Sequence, residues 1–237
     1  IAVEHASTLL EGATAEFSQI LYALEFGDED WNILQPETRR KSLMRIHALR
    51  ALWEPFQEAA NAVIAGTAEE SQLNYLLEEN LSVLSAAQLL VEELTRQYSN
   101  PNAVTRASLM LIDISGRQRM LTQKISKETC IIGGRHQTDG TIADLQGTVQ
   151  IFEASLEALR FGMPSVGILP PPNAEISAGL NTVVTDWNTV KPMISAMLAS
   201  EDLETAAHAQ KFQQLNVTMS VMNAVVGLYA DVARPRS

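Results

Sequence analysis

Apolar residues recur every three or four positions along most of this chain, in runs of about 25 residues parted by short polar or Gly/Pro stretches. The first run carries Leu9, Leu10, Ala13, Phe17, Ile20, Leu21 and Leu24, and predicts a helix over residues 1–27 that ends at Gly27. A loop follows from Asp28 to Pro36. From Glu37 to about Ala65 a second helix places Leu43, Ile46, Leu49, Trp53 and Phe56 on one side. Pro55 inside it predicts a kink or an offset start, because proline lacks the N–H and crowds the preceding turn. Gly66 ends it, and Thr67 ahead of Glu69 and Glu70 reads as an N-cap with acids in the first turn. A third helix runs over about 68–98, and Ser99-Asn100-Pro101 breaks it. The fourth covers about 102–132, and Gly133-Gly134 to Gly140 forms a connection. Three more are expected over about 141–162, 174–199 and 201–233. Seven helices with short connections predict an all-α fold built of antiparallel bundles.

The pattern also repeats. Phe17 to Gly27 matches Phe152 to Gly162 at an offset of 135, with Phe, Leu, Ala, Leu, Phe and Gly coinciding. At the same offset Leu34 meets Leu169 and Pro36 meets Pro171. With one residue of slippage Trp53 meets Trp187 and Ile46 meets Leu180, and Asn80 meets Asn216 at an offset of 136. Residues 1–99 and 136–233 therefore read as two copies of a three-helix unit, the second preceded by the helix over 102–132. The division expected is 1–99 and 100–237. The first copy would have its own preceding helix centred about 19 residues before Ile1, or it never had one.

Composition narrows the class. The chain is 46% apolar and 19% charged, with few Gly, Pro and aromatic residues, which suits helices around a core. A net charge of −11 argues against nucleic acid, whose phosphates need a basic field, and against lying flat on an anionic membrane. The single Cys130 excludes an internal disulfide framework and any cysteine-based zinc site. No run of about 18 apolar residues and no secretory h-region are read from the sequence, so membrane spans, if the protein has them, are expected outside it.

One stretch departs from this background. Between Asp113 and Glu128 stand two acids and four bases, Arg117, Arg119, Lys124 and Lys127, in a chain that is otherwise acidic. Leu111, Ile114, Leu121 and Ile125 mark an apolar face of the helix, while Ile112, Gly116, Arg119 and Gln123 mark a second stripe that is small, then cationic, then amide. Glycine within a helix costs about 1 kcal/mol relative to alanine, which is reasonable where a ligand or another backbone comes close.

The segment Ser115-Gly116-Arg117-Gln118-Arg119-Met120-Leu121-Thr122-Gln123-Lys124 resembles the signature of PilJ-type sensor domains, found in the periplasmic parts of chemotaxis transducers that include the type IV pilus transducer. A looser form, Gly, two residues, Arg-Met, resembles the P-box of bacterial nitrate/nitrite sensor kinases. The resemblance implies a box on a bundle helix near a dimer interface, with the Arg before the Met binding the anion; here that is Arg119, with Gly116 as the small box residue. The Leu-rich helix ending in Gly, the Leu-Pro loop and the Trp-bearing helix of both copies extend the resemblance over most of the chain. It implies a periplasmic domain of an inner-membrane receptor that signals by small displacements of long helices.

The chemistry suits that expectation. Nitrate is planar with three acceptor oxygens, and a guanidinium offers a planar fork of donors that keeps its charge. Arg119 is the expected principal ligand for nitrate or nitrite, with Gly116 making room and Ser115 or Gln123 adding hydrogen bonds. Arg117 lies about 200° around the helix from Arg119, so the two do not face one partner squarely. The plain alternative is that both arginines make structural ion pairs. A homodimer would bring two Arg119 residues together, or a pair of boxes within one chain would do so. A second function of another class is a protein-interaction module that meets a pilus or other periplasmic protein without a small ligand. Adjacent glutamates such as Glu78-Glu79 point about 100° apart and read as a solvated face, the four histidines show no ligand spacing, and no set of acid, base and nucleophile converges. Neither an enzyme nor a cofactor is expected.

Overall fold

The computed structural model describes residues 2–98, 106–132, 140–199 and 205–233. They are helical throughout: α1 (Ala2–Phe26), α2 (Arg40–Ile64), α3 (Glu70–Tyr98), α4 (Arg106–Ile131), α5 (Thr141–Phe161), α6 (Ala174–Leu198) and α7 (Thr205–Ala233), with one 3₁₀ turn at Pro164–Val166. They form two compact units, Ile1–Ser99 and Asn100–Ser237. The expected breakers Ser99-Asn100-Pro101 and Gly133-Gly134 lie outside the described residues.

In unit 1, α2 is the middle helix. It packs on α1 and on α3 around a small core of Leu21, Ile46, Leu49, Trp53, Val83 and Leu90. Two helix starts differ from the expected ones. Residue 37 does not open α2: the buried Glu37 carboxylate accepts the backbone N–H groups of Thr38 and Arg39, both at 2.8 Å, and the Tyr98 hydroxyl at 2.9 Å. A side chain committed to those donors holds its own residue out of the helix. Thr67 does not cap α3 either, since its hydroxyl turns back to the Ala62 carbonyl at 3.4 Å. The Gln72 side chain instead accepts the Glu69 N–H at 2.9 Å, the returning arm of a capping box. Pro55 is exposed within an unbroken α2, and Pro192 sits likewise inside α6.

In unit 2 the four helices close a square, α4 on α5 and α7, α6 on α5 and α7. Asn173 caps α6, its side chain accepting the Ile176 N–H at 2.8 Å. The core is continuous, running from Leu121 and Ile125 through Phe152, Leu180 and Trp187 to Met222 and Tyr229.

The repeat is visible in detail. Phe17 lies 4.1 Å from Trp53 and Phe152 lies 4.5 Å from Trp187, ring centre to ring centre. Each indole donates, at 2.9 Å, to the residue that follows the phenylalanine, Ser18 in one unit and Glu153 in the other. The loops agree too: an isolated antiparallel bridge joins Asp28 to Ile33 and, 135 positions on, Met163 to Ile168. Gly27 and Gly162 both adopt positive φ, 81° and 77°, where a Cβ would press on the loop backbone at Ile33 and Ile168. Burial fixes the register of the third helix at 135 rather than 136: Val83 and Leu90 correspond to the buried Thr218 and Val225.

Among the described residues, one stretch, Gln214–Val232, is long and apolar enough by composition to cross a membrane, with a mean hydropathy of 1.2. This corrects the expectation that no such run exists. Its buried side chains, Leu215, Thr218, Met222, Val225 and Tyr229, belong to the bundle core.

Candidate functional site

The box lies in the middle of α4, which has a polar inside. Leu111, Ser115, Gln118, Thr122, Ile125 and Thr129 follow one another at steps of four, three, four, three and four, and all are buried. The hydroxyls satisfy themselves on their own helix: Ser115 donates to the Ile112 carbonyl at 3.0 Å, Thr122 to Gln118 at 2.9 Å and Thr129 to Ser126 at 2.8 Å. Gln118 reaches across and donates its amide to the Phe152 carbonyl of α5 at 3.2 Å. Small hydroxyl residues let α5 and α7 come close, and the amide pins α4 to α5. The expected apolar face is thus only part of the inner face, since Ile114 is half-buried while Ser115 and Gln118 are fully inside. Gln118 was not singled out from sequence; its spacing from Leu111 and Ile125 carried the signal.

The four cations of the box end differently. Arg117 pairs with Asp113 one turn earlier at 3.0 Å, both exposed. Lys124 is held between the buried Glu128 carboxylate at 2.6 Å and the Thr148 hydroxyl of α5 at 2.6 Å. Lys127 is partly buried; desolvation draws its pKa below the ordinary lysine value, and it has a partner of its own. Arg119 is exposed and, among the described residues, makes no hydrogen bond or ion pair. Arg119 was the expected principal ligand, with ion pairing of both arginines as the alternative; Arg117 is tied and Arg119 is not.

Around Arg119 the helix surface is open. Gly116, one turn earlier, has nothing within 4 Å of the place a Cβ would take. Gln123, one turn later, is exposed and its amide lies against the Met219 sulfur of α7 at 2.6 Å. Ser115, the fourth neighbour expected at the site, is fully buried. The stripe Gly116, Arg119, Gln123 therefore lies on the α7 side of α4, with no opposing wall at Arg119 among the described residues of unit 2.

A separate apolar recess of about 340 Å³ lies between Leu111, the Leu169–Pro172 segment, Tyr229 and Val232. Burial pushes the Tyr229 hydroxyl up to about 12, and its oxygen is enclosed without a hydrogen-bond partner. The recess holds no charge that could receive an anion.

The family model of the type IV pili methyl-accepting chemotaxis transducer N-terminal domain, PilJ, matches residues 105–223, half of the chain. The chain belongs to the PilJ family. The PilJ match starts at α4 and runs through most of α7, which is the closed four-helix unit. Among solved structures, the ligand-binding domain of the P. aeruginosa nitrate receptor McpN is similar at 20% identity and a TM-score of 0.46, over 55% of this chain and 98% of that one. No curated protein matches. PilJ membership makes unit 2 a sensory domain of the chemotaxis-transducer kind and agrees with the all-α bundle seen here.

Proposed function

We propose that the chain is the periplasmic ligand-binding part of a membrane-bound chemotaxis receptor and that the α4 box takes a small oxyanion such as nitrate or nitrite. The observation that carries this reading is Arg119, an exposed guanidinium with no partner among the described residues, beside Arg117, Lys124 and Lys127, which are engaged. Gly116 leaves space beside it and Gln123 supplies an amide one turn away. Ser115 and Arg117 would contribute only by giving up the Ile112 carbonyl and Asp113.

The missing wall is a second box. Two guanidiniums about 4 Å apart repel by about 1 kcal/mol in water and about 4 kcal/mol where water is partly excluded. A planar anion between them turns that repulsion into two charge-assisted pairs, so it favours the closed arrangement by its differential affinity. The closed form would move α4 and α7, the helices on either side of the stripe, and so pass a displacement along the bundle.

Calorimetric titration with nitrate, nitrite and chloride tests the reading. Nitrate or nitrite binding that falls about tenfold or more in Arg119→Ala, and less in Arg119→Lys, supports it. Absence of heat from every anion, together with capture of a pilus protein, moves the function to protein recognition.

A further inference from the structure

Among the described residues, unit 1 has an open corner between α1 and α3. In unit 2, α4 sits between α5 and α7 and completes the square. In unit 1 the corresponding helices α1 and α3 both pack on α2, and no comparable contact joins them. The positions that α4 covers in unit 2 are uncovered here. Thr141 and Thr148 are 6% and 2% exposed, while their counterparts Ala6 and Ala13 are exposed. Phe152 is wholly buried and Phe17 is not. On the other wall Met222 is buried and Val226 packs partly into the core, whereas Ala87 is half-buried and Val91 is 57% exposed. The same apolar register is kept, yet one neighbour is missing on each wall.

Charge says what kind of neighbour fits. The two wall helices are acidic in composition: besides Glu25, which pairs with α2, α1 carries Glu11 and Glu16 with no Lys or Arg, and α3 carries five glutamates against Arg96. The middle helix α2 is the reverse, with Arg40, Lys41, Arg45 and Arg50 against two glutamates. The helix that fills this corner in unit 2, α4, is cationic, with five bases against Asp113 and Glu128. Acidic walls and a small-residue lining select a cationic helix with a narrow inner face. We propose that the corner between α1 and α3 is the seat of a second box-type helix of the same polypeptide, N-terminal to α1 as α4 is N-terminal to α5. The proposal does not depend on anion binding at Arg119.

Thiol accessibility in a Cys130→Ser background tests it, because labelling follows exposure. Ala13→Cys and Val91→Cys report on the two walls. Leu9→Cys is the control: it is 44% exposed, and its counterpart Asp144 stays exposed beside α4. Maleimide labelling rates are compared between residues 1–237 and the chain carrying about 35 more native residues upstream, the span from Arg106 to Gly140 in unit 2. The expected result is labelling about tenfold slower at both walls in the longer chain, with Leu9→Cys unchanged. Equal rates at both walls overturn the proposal. So does protection that appears in the shorter chain and grows with its concentration, since a second copy would then be the occupant.

Discussion

The two units share three helices, a tryptophan clamp and a bridged loop, yet they are held together differently. In unit 2 nineteen buried residues form one cluster among the described residues, whereas unit 1 has six. Polar ties also join neighbouring elements of unit 1. Glu25 of α1 meets His47, at 3.0 Å, and Arg50 of α2. Ahead of α2, Glu37 accepts the Tyr98 hydroxyl of α3, and the Arg39 guanidinium lies 4.0 Å over the Tyr98 ring. In unit 2, where α4 is described, the apolar core is the larger, and polar ties such as Lys191 to Glu153 and Lys124 to Thr148 join its helices as well. The same fourth helix carries the unpaired Arg119, so in unit 2 closure and the candidate sensing surface come from one element.

The tryptophans offer the strongest test of that contrast. Trp187 is 3% exposed and packs, ring tilted, against a fully buried Phe152, so Trp187→Ala should cost about 3–5 kcal/mol. Trp53 is 7% exposed against a half-buried Phe17, and Trp53→Ala should cost about 2 kcal/mol, because the open corner lets neighbours relax. Hydrogen exchange read separately over α2 and α6 measures both. Equal losses would mean that closure adds nothing to the core of unit 2.

Much of this arrangement was legible in the residues. Periodicity gave the seven helices, and the offset of 135 between Phe17 and Phe152 gave the repeat before any contact was known. The structure falls into the units Ile1–Ser99 and Asn100–Ser237. What escaped was chemistry that does not follow apolar spacing. Glu37 and Thr67 have helix-starting character, and only their partners, Tyr98 and the Ala62 carbonyl, show why they stay outside helices. The box was expected to present Gly116, Arg119 and Gln123 with Ser115 beside them. Its polarity divides by face, with Ser115, Gln118 and Thr122 turned into the bundle and Arg119 and Gln123 turned out. Nothing in the order of Arg117 and Arg119 showed which would be neutralised; that depended on Asp113 lying one turn before the first.

Two glycines sharpen the comparison at a smaller scale. Gly179 of α6 faces Val225 of α7, and a Cβ there would lie 2.7 Å from a valine methyl. Gly179→Ala should therefore cost about 1–3 kcal/mol by forcing the helices apart. Gly116 has open space, and Gly116→Ala should stabilise the isolated chain by about 1 kcal/mol through helix propensity alone. Thermal denaturation reads both signs. If Gly116→Ala gains stability and loses nitrate affinity, the glycine serves the approach of a second box rather than the fold. Arg119→Ala should leave stability within about 0.5 kcal/mol while it removes the anion response, as befits an exposed side chain without partners.

The smallest expected effect is one of pH, and it belongs to unit 1. Burial pushes the Glu25 carboxyl upward, but the hydrogen bonds and charges of His47 and Arg50 outweigh it and hold the group below its ordinary 4.5. Glu37 shifts the same way, burial again opposed by the backbone N–H groups of Arg39 and Thr38 and by the Tyr98 hydroxyl. A carboxyl whose pKa is lower in the folded state stabilises the fold fully above its unfolded pKa, and that contribution disappears as pH falls through the folded value. Unit 1 should then lose stability between about pH 5 and 3, and Glu25→Gln should flatten the slope while lowering stability at neutral pH. Hydrogen exchange over α1 and α2 across this range is the measurement. A flat profile in the unaltered chain would show that Glu25 and Glu37 only decorate unit 1, and its cohesion would have to be sought in the six-residue core alone.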